Sequence, residues 1–143
     1  MKPRMAEPIR SWLRRMLALL YALAGIAHLD QPHSFLSITP DWVPQAERVV
    51  FWTGFAEIAG AAALAQSFSP RLRRFAGAGL AAYAICVFPA NLQHFAMDME
   101  RSDGGLGLAY HVPRMALQPL LVWLALWTAE VIDWPMRACC PPP

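Results

Sequence analysis

The chain has 143 residues, enough for one domain, of which 57% are hydrophobic and 15% charged, with a formal net charge of +2. Soluble domains carry about a quarter charged residues, so this composition points to a membrane. The small net charge, with no basic stripe interleaved with aromatics, argues against a nucleic-acid partner.

Residues 1–15 carry Lys2, Arg4, Arg10, Arg14 and Arg15 against the single acid Glu7. Trp12 among these basic residues suits a helix entering a headgroup layer. The first helix is predicted over residues 12–29, with snorkelling arginines extending a short apolar run. The basic start, apolar run and Ala-Leu-Ala-Gly at 22–25 mimic a signal peptide. The run continues to Leu29 and further spans follow, so the reading is a retained helix.

Residues 30–48 contain Pro32, Pro40 and Pro44 with Phe35, Leu36, Ile38, Trp42 and Val43, too apolar for a plain linker. They read as an interfacial loop, either a short amphipathic helix or a segment packed over the bundle mouth. The second helix is predicted over 49–66. It is apolar except for Thr53 and Glu57, and its second half is nearly all small residues that permit close helix approach. The third helix is predicted over 74–95, with Pro89 removing the donor that would serve the carbonyl of Ile85. An acidic, glycine-containing loop spans 96–108. The fourth helix is predicted over 109–131, with Trp123, Trp127 and Trp134 as an aromatic belt.

The resulting expectation is an all-α, four-helix transmembrane bundle. Lysine and arginine number nine in the N-terminal segment, the 66–74 loop and the tail, against Arg48 and Arg101 in the other two loops. This bias places both termini in the cytoplasm and loops 30–48 and 96–108 outside.

Given that orientation, the polar residues of the spans gather in the outer half. His28 ends the first span, and Glu57 lies ~12 Å into the second. Asn91 and His94 end the third, while His111, Arg114 and Gln118 share one face of the fourth, within ~60° of one another. Thr53 is one turn from Glu57. The inner halves read as almost purely apolar. A carboxylate within a span is costly and marks a candidate site. Two readings stand: Glu57 and Arg114 form a structural ion pair satisfied by His28, Asn91 and Gln118, or they bind a polar head group or relay a proton with a titrating histidine. Thr53, His94 and His111 are secondary members of the pocket.

No metal centre is expected. Four histidines form no tight cluster, and His94 with Asp98 reads as an i,i+4 helix-end contact. Cys86 reads as a small residue in an apolar helix, and Cys139 and Cys140 as part of a disordered tail. The three form no CxxC or disulfide framework. No nucleophile–base pair, phosphate loop or haem-attachment motif is visible, so no catalytic residue is assigned.

The segments AGIAHL, PHSFLSITPDWVP, FAEIAGAAAL, FPANLQ and RMALQPLLVWLALW, within Leu20 to Trp127, resemble the DoxX-like small integral membrane proteins of bacteria. The matching positions are His28, Pro40, Trp42, Pro44, Glu57, Pro89, Asn91, Arg114, Gln118 and Pro119. The resemblance implies a multi-pass protein of the cytoplasmic membrane. It also implies an association with quinone-linked sulfur oxidation or redox-stress complexes, leaving a quinone as the one cofactor in view. The expected role is an accessory subunit whose outward polar pocket binds a ligand or a redox-protein partner. The alternatives are a quinone-linked oxidoreductase component and a small-molecule or proton-coupled transporter. Small-residue faces also suit homo-oligomer contacts.

Overall fold

The computed structural model describes residues 3–134; Cys139, Cys140 and the rest of the tail lie outside the described residues. The described chain is all-helical, with no strand. Its elements are α1 (Pro3–Asp30), α2 (Pro32–Leu36), α3 (Ala46–Ala65), α4 (Pro70–Cys86), α5 (Phe88–Glu100) and α6 (Leu108–Thr128).

Local chemistry sets these boundaries. Pro32 opens α2 inside the 30–48 segment. Gln66 closes the α3–α4 turn by accepting from Ser69 N–H (2.8 Å) and donating to the carbonyls of Ala63 and Ser69. Ser69 then caps α4 through Leu72 N–H, with Pro70 at a first-turn position where no donor is needed. Gly104, Gly105 and Gly107 take positive φ between α5 and α6. There Asp103 accepts from both Arg101 (2.8 and 2.9 Å) and Gly105 N–H. These bonds hold the Asp103 carboxyl well below, and the Arg101 guanidinium above, its usual range.

The third predicted helix is two pieces. The chain turns at Val87, just ahead of Pro89, which cannot donate to Ile85. The second piece runs to Glu100, past the expected end at 95.

Three stretches are long and apolar enough to cross a membrane: Glu7–Asp30, Ala46–Ala65 and Pro70–Glu100, the last covering both α4 and α5. Helix α6 has a span's length, 21 residues, but His111, Arg114 and Gln118 dilute its apolar character.

The helices pack as a ring in which α1 meets α3, α3 meets α4, α4 meets α6 and α6 meets α1. Helices α3 and α6 are diagonal and do not touch. Small residues make two close crossings. A Cβ on Gly54 would lie 2.7 Å from His28 Cβ, and one on Gly25 would lie 2.6 Å from the Gly54 carbonyl. At the α4–α6 contact, a Cβ on Gly77 would run into Ala129 Cβ and Ala125 O.

Leu17, Tyr21, Leu64, Leu80, Ala125 and Ala129 form a packed core across the ring. Beyond it lies a cluster absent from the sequence reading. Arg73 is buried in the first turn of α4, not in a loop. It pairs with Glu130, which also faces Arg14 at 3.6 Å. Arg10 reaches Asp133 at 3.4 Å and stacks over Trp127. That end of the ring is polar and cross-tied rather than purely apolar.

Candidate functional site

At the other end the ring opens into a cavity of about 650 Å³. His28 (α1), Thr53 and Glu57 (α3), Asn91 (α5), and Arg114 and Gln118 (α6) all line it. His94 and His111 do not. Phe35, Ile38, Pro40 and Trp42 from the 30–48 segment cover one side, so that segment sits over the cavity mouth. Tyr83 of α4 also lines the wall, facing Glu57 and Thr53. The sequence reading missed it, because a tyrosine in an apolar helix carries no distinguishing signal of its own.

The expected direct pair between Glu57 and Arg114 is not formed. Their helices are diagonal across the ring, with the cavity between them. The side chain facing Glu57 is His28, whose Nδ1 lies 3.0 Å from Glu57 Oε2. The same Nδ1 lies 3.0 Å from the backbone oxygen of Ala24. A single N–H cannot point at both. The alignment favours Ala24, which leaves Glu57 Oε2 buried without a hydrogen-bond partner. The His28 ring is fixed by stacking on Phe35, with centroids 3.7 Å apart. Glu57 is only 4% exposed. Its Oε2, at the cavity wall, keeps acceptor capacity a ligand could use.

The remaining lining polar groups are partly satisfied. Asn91 donates to Gln118 Oε1 at 3.3 Å, and Gln118 donates to the Ala84 carbonyl, where the α4–α5 bend begins. Thr53 donates to Val50 O at 2.8 Å.

Arg114 donates to His94 Nδ1 at 3.0 Å and lies over the Tyr110 ring. His94 Nε2 in turn faces Asp98 Oδ2 at 3.6 Å. That oxygen sits 2.9 Å from His111 Nε2 and accepts from Leu106 N–H at 2.9 Å. His94 and His111, both expected as secondary members of the pocket, instead meet at Asp98 in a network beside the cavity.

His94, Asp98 and His111 bring ligand-type atoms within 4.8 Å of one another. Their surroundings fit a hydrogen-bond chain better than a metal. A metal-bound histidine donates its other N–H outward, to a carboxylate or carbonyl. Here His94 Nδ1 accepts from an arginine, and His111 Nδ1 is buried without a partner.

A family model described as Domain of unknown function (DUF8561) matches residues 17–129. The chain belongs to the DUF8561 family. No curated protein and no solved structure matches it. The matched region contains every cavity-lining polar residue named above, so the site lies within the DUF8561 unit.

Proposed function

We propose that this DUF8561 protein is a multi-pass protein of the bacterial cytoplasmic membrane whose cavity binds a small amphiphilic molecule. In this reading α1, α3, the bent α4–α5 pair and α6 form a four-helix bundle. Both termini are cytoplasmic, so the cavity opens outward. The protein is a binding subunit of a membrane redox or stress system rather than a catalyst, with the DoxX-like resemblance as the pointer to redox.

One observation carries the binding reading: a buried carboxylate oxygen without a partner, on the wall of a cavity large enough for a ligand. Small-molecule sites span ~300–1,000 Å³, with apolar walls and few convergent polar groups. A ligand presenting an O–H or N–H to Glu57 Oε2 would meet its unmet demand. A quinone satisfies Glu57 only in its reduced, hydroxyl-bearing form, since Glu57 accepts and cannot donate while ionised. The packed core and the Arg73–Glu130 cluster close the far end, which supports a dead-ended binding site over a transport path.

The test is native purification from membranes into nanodiscs, followed by mass spectrometry of extracted small molecules, for wild type and Glu57→Gln. An amphiphile that co-purifies with wild type and falls at least tenfold in the variant supports the reading. An equal yield from both proteins refutes the role of Glu57.

A further inference from the structure

We infer that the ligand of this cavity carries an anionic oxygen acid, a carboxylate or phosphate on a single apolar chain, and that Arg114 is the residue that receives it. This rests on the cavity being a binding site, as proposed above.

Arg114 lines the cavity from α6 and has no acid in contact among the described residues. Glu57, the other charged group on the lining, is held with His28 on the far side of the ring. A guanidinium has five N–H donors. One is used, toward His94 Nδ1. The other four have no protein acceptor among the described residues.

The way Arg114 is held also favours an anion. Arginine only donates, so His94 Nδ1 is the unprotonated nitrogen and Nε2 bears the hydrogen that faces Asp98. A neutral histidine thus separates Arg114 from Asp98. Asp98 is fixed by Leu106 N–H and His111, and its carboxyl fills the space that a side chain on Gly105 would take. The guanidinium is anchored at one edge, backed by the Tyr110 ring, and keeps its charge unneutralised at short range. A planar fork held in this way suits bidentate docking of a carboxylate or phosphate.

The rest of the wall is chiefly apolar. Leu20, Tyr110 and Leu117 line it while remaining substantially exposed, so the cavity reaches the outer surface of the helices between α1 and α6. An apolar chain can lie along that side with its acid group at Arg114.

Cys86 supplies the readout, since it lines the cavity and is exposed. The full chain, with Cys139→Ser and Cys140→Ser, is placed in neutral phosphatidylcholine nanodiscs. The rate of Cys86 modification by a maleimide is followed against oleate, oleyl phosphate and the uncharged oleyl alcohol. Oleate or oleyl phosphate should protect Cys86 at concentrations at least tenfold below those needed for oleyl alcohol. The tighter of the two acids identifies a free carboxylic acid or a phosphate-bearing lipid as the source. Arg114→Gln should weaken protection by the acids about 10- to 100-fold and leave oleyl alcohol unchanged. Arg114→Lys, which keeps charge but not the fork, should fall between.

If Arg114→Gln does not fold, the headgroup comparison on the Arg114-containing protein and the lysine variant still decide. Equal protection by acid and alcohol overturns the anion assignment while leaving the binding reading intact. No protection by any of the three probes overturns both.

Discussion

The α1–α3 crossing offers the sharpest test of how this fold holds its site. Replacing Gly54 with alanine puts a Cβ 2.7 Å from His28 Cβ and 3.0 Å from the Gly25 carbonyl. Ordinary carbon–carbon contact lies at ~3.5–4.0 Å, so the helices must separate locally by roughly 1 Å. Overpacking of this kind costs ~1–3 kcal/mol. Alanine also improves helix propensity by ~1 kcal/mol, which would partly mask the cost. Gly79 provides the control. It lies inside α4, and a methyl group added there would meet nothing within 4 Å, so Gly79→Ala receives the propensity gain alone. The difference between the two variants isolates the packing cost, and Gly54→Ala should be ~1–3 kcal/mol less stable than Gly79→Ala. The assay is reversible unfolding in mixed detergent micelles of increasing sodium dodecyl sulfate content, followed by tryptophan fluorescence and circular dichroism. A Gly54→Ala protein as stable as Gly79→Ala would refute the close crossing and, with it, the placement of His28 over Glu57.

Other outcomes follow from the same packing. Glu130→Gln removes the acid shared by Arg14 and Arg73 and should destabilise by ~2 kcal/mol in the same unfolding assay, because two cations lose their half-buried partner. His28→Ala removes the imidazole 3.0 Å from Glu57 Oε2 and should destabilise the protein, most of the loss being recovered in the His28→Ala/Glu57→Leu double variant. Gly105→Ala, at φ 52° and against Asp98 Cγ, should displace Asp98 and raise the reactivity of His111 toward diethylpyrocarbonate. For orientation, a cysteine at Asp103 should label from outside intact cells and one at Arg71 should not. Position 71 is chosen because Arg71 is exposed whereas Arg73 is buried.

Why the cavity's residues were legible, while their pairing was not, follows from what a helix pattern encodes. Depth is set by counting residues from a span's end at a fixed rise, so His28, Glu57, Asn91, Arg114 and Gln118 are placed in the outer halves of their spans by the sequence. Face is set by the angle per residue, which groups His111, Arg114 and Gln118; Arg114 and Gln118 line the cavity, whereas His111 turns to Asp98. Neither quantity fixes which helices are neighbours. Glu57 and Arg114 looked like partners because they are opposite charges at comparable depth, yet α3 and α6 are diagonal and the cavity lies between them. Neighbour choice here comes from Gly25, Gly54 and Gly77, whose missing side chains bring α1 onto α3 and α4 onto α6. In the sequence these glycines sit among many alanines with the same small-residue character, and nothing local distinguishes a glycine at a crossing from an unpacked one such as Gly79. The same limit hid Arg73: three arginines after Pro70 look alike, and only the packing of α4 against the end of α6 buries one of them on Glu130. A diagonal arrangement of two opposite charges also has a consequence that a paired one lacks. Glu57 and Arg114 face the same cavity from opposite walls, so a ligand can dock on Arg114 without first breaking a Glu57–Arg114 salt bridge.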